Sequence, residues 1–200
     1  MKLSVLKKGA MFGLDARVAL VIFAAIGLVS TAIMHSAILE SSVSRLVLET
    51  KDITKAIKLY EYDVDDLLPE NSTAWLNTKE LVSSSISGWN GPYVSFETAA
   101  SPDDSKYLVN SKFGKFSVLK AKDRSATAET DSPFVSCATA DPCYLWVLYE
   151  SSSLGDVSDL IMSKLDKRFD SGDGFLTGVI QKYNGDLLYR LDLVEYYTPI

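Results

Sequence analysis

The sequence is poor in the residues that most chemistry needs. It has one histidine and two cysteines in 200 residues, with 6 prolines and 11 glycines. The histidine, His35, lies inside an apolar run, so no nucleophile and base pair can be built around it in an aqueous site. Tetrahedral zinc, which takes four ligands from Cys, His or carboxylates, is not expected either. A glycine-rich phosphate loop is also missing, and the carboxylates show no defined pairing. The tetrad Ser117 to Lys120, SVLK, has the Ser-x-x-Lys spacing of some acyl-enzymes but falls in a predicted strand without the accompanying motifs. The reading is therefore of a protein that is not an enzyme and carries no cofactor.

Positive charge is scarce as well. The net charge is -6, although Lys2, Lys7 and Lys8 all fall in the first eight residues. Everything after the apolar run is thus more acidic than the total, and nucleic acid is not an expected partner. Basic before and acidic after an apolar segment is the positive-inside pattern, with the N-terminus cytoplasmic and the rest across the membrane. Cys137 and Cys143 flank a turn-prone Asp141-Pro142. In an exported domain they would close a small disulfide loop; in a reducing compartment they would be two inert thiols.

What the sequence does have is a long apolar run, Val18 to Leu39, interrupted only by small or weakly polar residues. Roughly 20 helical residues cross a hydrocarbon core of about 30 Å, so the run is long enough to span. A cleaved secretory signal has a core of about 7 to 15 residues closed by a small-x-small site, which is a poor description of this one. A plain signal anchor fits the length and the flanking lysines but leaves Asp15, just before the span, without a reason. An ionisable residue at a membrane is costly and is usually paired or functional. Arg17 could reach the interface and partly compensate it.

The order of residues before the span supplies a third reading. Lys7-Lys8, Gly9-Ala10, Met11-Phe12-Gly13-Leu14, Asp15 and then the span resembles the processing signal of type IV pilins and type II secretion pseudopilins. The resemblance implies a leader, residues 1 to 10, removed by a prepilin peptidase after a small residue, and methylation of the new N-terminus. Cleavage after Ala10 makes Met11 the first residue and Asp15 the fifth, the position where the family carries an acid, normally Glu. Cleavage after Gly9 uses the commoner small residue but moves the acid to sixth. The family also implies that the acid meets the N-terminus of a neighbouring subunit, so Asp15, with Arg17 beside it, becomes an assembly contact.

Beyond the span, Val43, Leu46, Val47, Thr50, Ile53, Ile57 and Tyr60 recur three and four apart, with Glu40, Arg45, Glu49, Lys51, Asp52, Lys55 and Lys58 mostly on other faces. That periodicity predicts one helix from about residue 11 to residue 62, with no flexible linker. Residues 63 to 200 then form a head. A break at Asp65 to Thr73 precedes a short helix over Thr78 to Ile86. Next comes GWNGPY, in which Gly88, Trp89, Gly91, Pro92 and Tyr93 resemble an element of major pseudopilins. Locally the glycines permit a tight turn, Pro92 sets the entry, and Trp89 and Tyr93 can seal the first strand against the long helix.

Strands are predicted at Tyr93 to Glu97, Lys106 to Asn110, Phe113 to Lys120 and Tyr144 to Glu150. A helix at Asp156 to Phe169 puts Val157, Leu160, Ile161, Leu165 and Phe169 on one face. A hairpin of Phe175 to Tyr183 and Leu187 to Tyr196 turns at Asn184-Gly185. Ala121 to Pro133 reads as a loop. Asp166, Asp170 and Asp173 lack EF-hand spacing, so the run from Asp170 to Gly174 is read as a turn rather than a metal site. The fold class is α+β, pilin-like: a long N-terminal helix packed on a small, mainly antiparallel sheet. What the resemblance implies is a pseudopilin in a Gram-negative inner membrane, head in the periplasm. Its partners are prepilin peptidase, other pilin-like subunits and an inner-membrane assembly platform, and its work is protein export. A minor type IV pilin serving adhesion, motility or DNA uptake, and a single-span protein with a periplasmic binding domain, are the alternatives.

Overall fold

A computed structural model describes residues 11–72, 74–99, 105–111, 113–122, 128, 137, 142–154 and 158–191. The chain divides into two compact units, Met1–Ser42 and Val43–Ile200. One helix, α1 (Met11–Val64), contributes to both. In the first unit the helix is apolar on every side, with Phe23 and Leu28 about three-quarters exposed. A soluble helix hides one stripe and wets the other; one apolar all round has to be covered by lipid or by other helices. The described part of α1 is long and apolar enough to cross a membrane.

In the second unit α1 is amphipathic as the spacing predicts. Val43, Leu46, Val47, Thr50, Ile53, Ala56, Ile57 and Tyr60 are buried, while Lys51, Lys55 and Lys58 are exposed. This face lies on an eight-stranded sheet: β1 (Glu70–Ser72), β2 (Trp75–Leu76), β3 (Glu97–Thr98), β4 (Leu108–Asn110), β5 (Gly114–Lys122), β6 (Cys143–Tyr149), β7 (Ile180–Tyr183) and β8 (Asp186–Arg190). The main path runs β1-β2-β5-β6-β8-β7, all neighbours antiparallel. The β3–β4 pair joins β5 at Leu108 to Asn110. The class is therefore α+β with an antiparallel sheet, as expected.

The central strands β5 and β6 are buried on both faces along their middles, which is why β6 reads as a near-continuous apolar run and β5 as a shorter one, Phe116 to Leu119, between lysines. Side chains alternate between faces. Tyr149 belongs to the face that meets α1, where its hydroxyl lies 3.0 Å from Thr50 Oγ1. The opposite face gathers Leu119, Ala121, Trp146, Leu148 and Leu188, with Trp75, Tyr144 and Tyr183 against them. Two short helices follow β6, α2 (Ser151–Leu154) and α3 (Ser158–Phe169).

Several elements depart from expectation for identifiable reasons. The helix foreseen at Thr78 to Ile86 is a 3₁₀ turn, Thr78–Leu81. Thr78 Oγ1 is spent on the Lys106 carbonyl, 2.8 Å away, and Ser84 Oγ accepts from the Ile86 N–H, so local side-chain bonds compete with helix continuation. The segment from Tyr93 is extended but joins the ladder only at Glu97, because the Tyr93 N–H donates to Leu81 O. A β1–β2 hairpin, turning through Ala74 at φ 69°, occupies part of what reads as a simple break. In α3 the buried apolar residues are Ile161, Met162 and Leu165, whereas Leu160 is half exposed. Val157 lies outside the described residues, as does most of the loop read at Ala121 to Pro133, whose first two residues complete β5. The β7–β8 turn is as read, with Asn184 and Gly185 both at positive φ.

Candidate functional site

Two regions bear on function: the start of α1 and the segment that fastens the head to its C-terminal end. Met11 is the first residue of α1, and Gly9 and Ala10 lie outside the described residues. At about 100° per residue, positions 15 and 17 fall on nearly opposite sides of a helix. The positions that share the face of Asp15 one turn away are Met11, Phe12, Val18 and Ala19, none of them basic. Within its own helix Asp15 thus has no cationic neighbour at helical spacing, and Arg17 is exposed.

The GWNGPY segment packs on the end of α1 through specific bonds. Tyr93 donates its hydroxyl to Asp63 Oδ2 at 2.8 Å and accepts from the Asn90 N–H at 3.0 Å. Its ring stands edge-on to Tyr60 and to Trp89, with centroids 6.0 and 5.7 Å apart. Trp89 in turn donates Nε1–H to the Glu80 carbonyl at 2.7 Å. Burial, with Asp63 adding to it and the bond from the Asn90 N–H opposing it, pushes the Tyr93 hydroxyl above its ordinary pKa, so it stays a donor. The glycines are required individually. A Cβ on Gly88, where φ is 89°, would sit 2.5 Å from Asp63 O, and one on Gly91 would sit 2.5 Å from the Trp89 ring. Gly91-Pro92 is a cis peptide. The motif is a clasp between the end of α1 and the 3₁₀ turn at Thr78–Leu81.

The structure joins Cys137 to Cys143. Ser117 and Lys120 sit three apart in β5, hence on opposite faces of the sheet, and cannot act as a pair. The acids Asp166, Asp170 and Asp173 do converge: each offers a carboxylate oxygen within 4.8 Å of the others. Their spacing of four and three is helical, a signal that comparison with the alternating EF-hand pattern misses. Asp170 is the turn-former, accepting from the Val179 and Ile180 N–H groups at 2.7 to 2.9 Å. Gly178 packs so closely on it that a Cβ would lie 2.7 Å from its carboxyl carbon. This turn delays β7 to Ile180, five residues beyond the expected Phe175. Asp166 is buried and, among the described residues, its Oδ1 has no hydrogen-bond partner. Burial raises its pKa, with Asp173 and Asp170 adding to the rise and a bond from Gly174 N–H opposing it. Three carboxylates in this arrangement have the donor chemistry of a hard cation site.

Comparison with known protein families, curated proteins and solved structures finds no match for this chain. A long apolar N-terminal helix on an antiparallel sheet is compatible with a pilin-like fold, and the geometry alone carries that likeness.

Proposed function

We propose that this chain is a pilin-like filament subunit, a pseudopilin of a type II secretion-type machine. The observation that carries the reading is α1 itself: one helix, Met11–Val64, apolar all round in its first part and bound by one face to an antiparallel sheet in its second. A signal anchor needs no helix continuous with its domain; a subunit that assembles through its helix does. Two further features support it. No basic residue stands one helical turn from Asp15, which leaves its charge for the N-terminus of an adjacent subunit, where a pair in low dielectric fixes axial register. The GWNGPY clasp makes the head follow the helix end.

On this reading prepilin peptidase removes residues 1 to 10 and Met11 becomes the methylated N-terminus. The helix sits in the inner membrane with the head in the periplasm, where a disulfide between Cys137 and Cys143 persists. An inner-membrane platform assembles copies into a short filament that drives export. Deleting the gene separates this from a type IV pilus role: loss of protein secretion with twitching and DNA uptake intact is expected. The opposite pattern would assign the subunit to a pilus.

A further inference from the structure

Glu49 is an anomaly on α1. Its side chain is buried, only 9% exposed, and among the described residues Oε1 has no hydrogen-bond partner. The nearest hydroxyls cannot help. Thr50 donates to the Leu46 carbonyl at 2.9 Å, so the 3.0 Å contact between Thr50 and Tyr149 uses the tyrosine proton. A buried carboxylate without a donor is expensive, and such a group persists where something else satisfies it.

Glu49 opens onto a recess of about 400 Å³ at the flank of α1, lined also by Arg45, Leu48, Asp52, Phe96, Asn110 and Phe113. With Glu49 ionised, two acids and one base give it a net negative charge. Arg45 lies one turn before Glu49 yet makes no ion pair with it among the described residues. Aromatic and aliphatic walls leading to a carboxylate are the surroundings of a lysine, whose methylene stem packs on apolar surface while its ammonium donates.

The same helix carries exposed lysines at 51 and 58. Position 58 is nine residues from Glu49, or about 180° around the axis, and position 51 is about 200° around. Acceptor and donors therefore occupy opposite flanks of α1. Complementary patches on opposite sides of one molecule make a heterologous contact, which propagates as an open array instead of closing a dimer.

We propose that the Glu49 recess receives Lys51 or Lys58 from a second copy of this chain, its stem along Phe96, Phe113 and Leu48 and its ammonium on Glu49 Oε1. The inference rests on the reading of the chain as a filament subunit and adds a periplasmic contact to the one at Asp15.

Co-expression of two full-length versions tests it. One carries Glu49→Gln and keeps its lysines; the other carries Lys51→Arg and Lys58→Arg and keeps Glu49. Carbodiimide, which couples a carboxylate to an amine it touches, is applied to the membranes, and the joined peptides are identified by mass spectrometry. A cysteine pair in the span reports separately whether copies assemble. The expected product is an amide between Glu49 of one version and Lys51 or Lys58 of the other, falling at least about tenfold when either version is expressed alone. Span cross-links without that amide would overturn the contact and leave the filament reading standing. Coupling of Glu49 to a lysine of a different protein would overturn the choice of partner. Absence of span cross-links as well would remove the filament reading and the contact with it.

Discussion

Asp15 and Glu49 are the two acids of α1 that bear on assembly: no basic residue stands one turn from position 15 in the sequence, and Glu49 Oε1 has no hydrogen-bond partner among the described residues. For Asp15 the expected consequence of Asp15→Ala is unchanged insertion and impaired assembly. Cross-linking of copies through the span should fall several-fold while membrane-bound protein stays constant; unaltered cross-links would refute the register role. For Glu49 the consequence is visible in the detergent-dispersed single chain. Burial, reinforced by Asp52, pushes its carboxyl up from 4.5 to about 7. Arg45 and Tyr149 are the other ionisable groups near it. The folded chain therefore holds a proton that the unfolded chain releases, and stability falls as pH rises from the ordinary carboxylate range to about 7, then levels. Discounted for the open side of the recess, the loss is of order 2 kcal/mol. Glu49→Gln should flatten that slope in urea melts at pH 5 and pH 8; an unchanged slope would place the titration elsewhere. Glu49 was not legible as a site, because periodicity sorts it with the charged faces of α1. Phe96 and Phe113, which line the recess with it, are brought to the helix flank only by the folded β3–β4 region.

At the level of elements, the clasp makes a sharp contrast between glycines. Gly88→Ala must relieve both a positive φ and a 2.5 Å approach to Asp63 O, whereas a Cβ on Gly174, φ 103°, meets nothing within 4 Å. Gly88→Ala should cost about 2 to 4 kcal/mol and Gly174→Ala nearer 1 kcal/mol in denaturant unfolding. Equal costs would deny the clasp its packing role. The small loop between Cys137 and Cys143 should contribute about 2 kcal/mol by chain entropy, read as the stability lost in the Cys137→Ser, Cys143→Ser double variant. Elements governed by local pattern were legible in the sequence: α1 from its spacing, β5 and β6 from their apolar runs, the β7–β8 turn from Asn184-Gly185. Those decided by distant bonds were not. The 3₁₀ turn depends on Thr78 reaching Lys106, β2 on Trp75 pairing with Leu119, and the start of β7 on the carboxylate of Asp170.

For the whole molecule, the likeness to a filament subunit rests on a division of labour along one helix. The unit that ends at Ser42 exposes apolar residues on all sides, and the unit that begins at Val43 buries one helical face on a sheet. On the proposed reading, the acid at the start of that helix is kept for the charge of another copy. Processing at the boundary between Ala10 and Met11 is the step on which this depends. The most direct measurement is the mass of the N-terminal peptide of the protein taken from its native membrane, in a strain with an active prepilin peptidase. The account predicts a chain that begins at Met11 and carries an added methyl group; a chain retaining Met1 and the intact leader would contradict it.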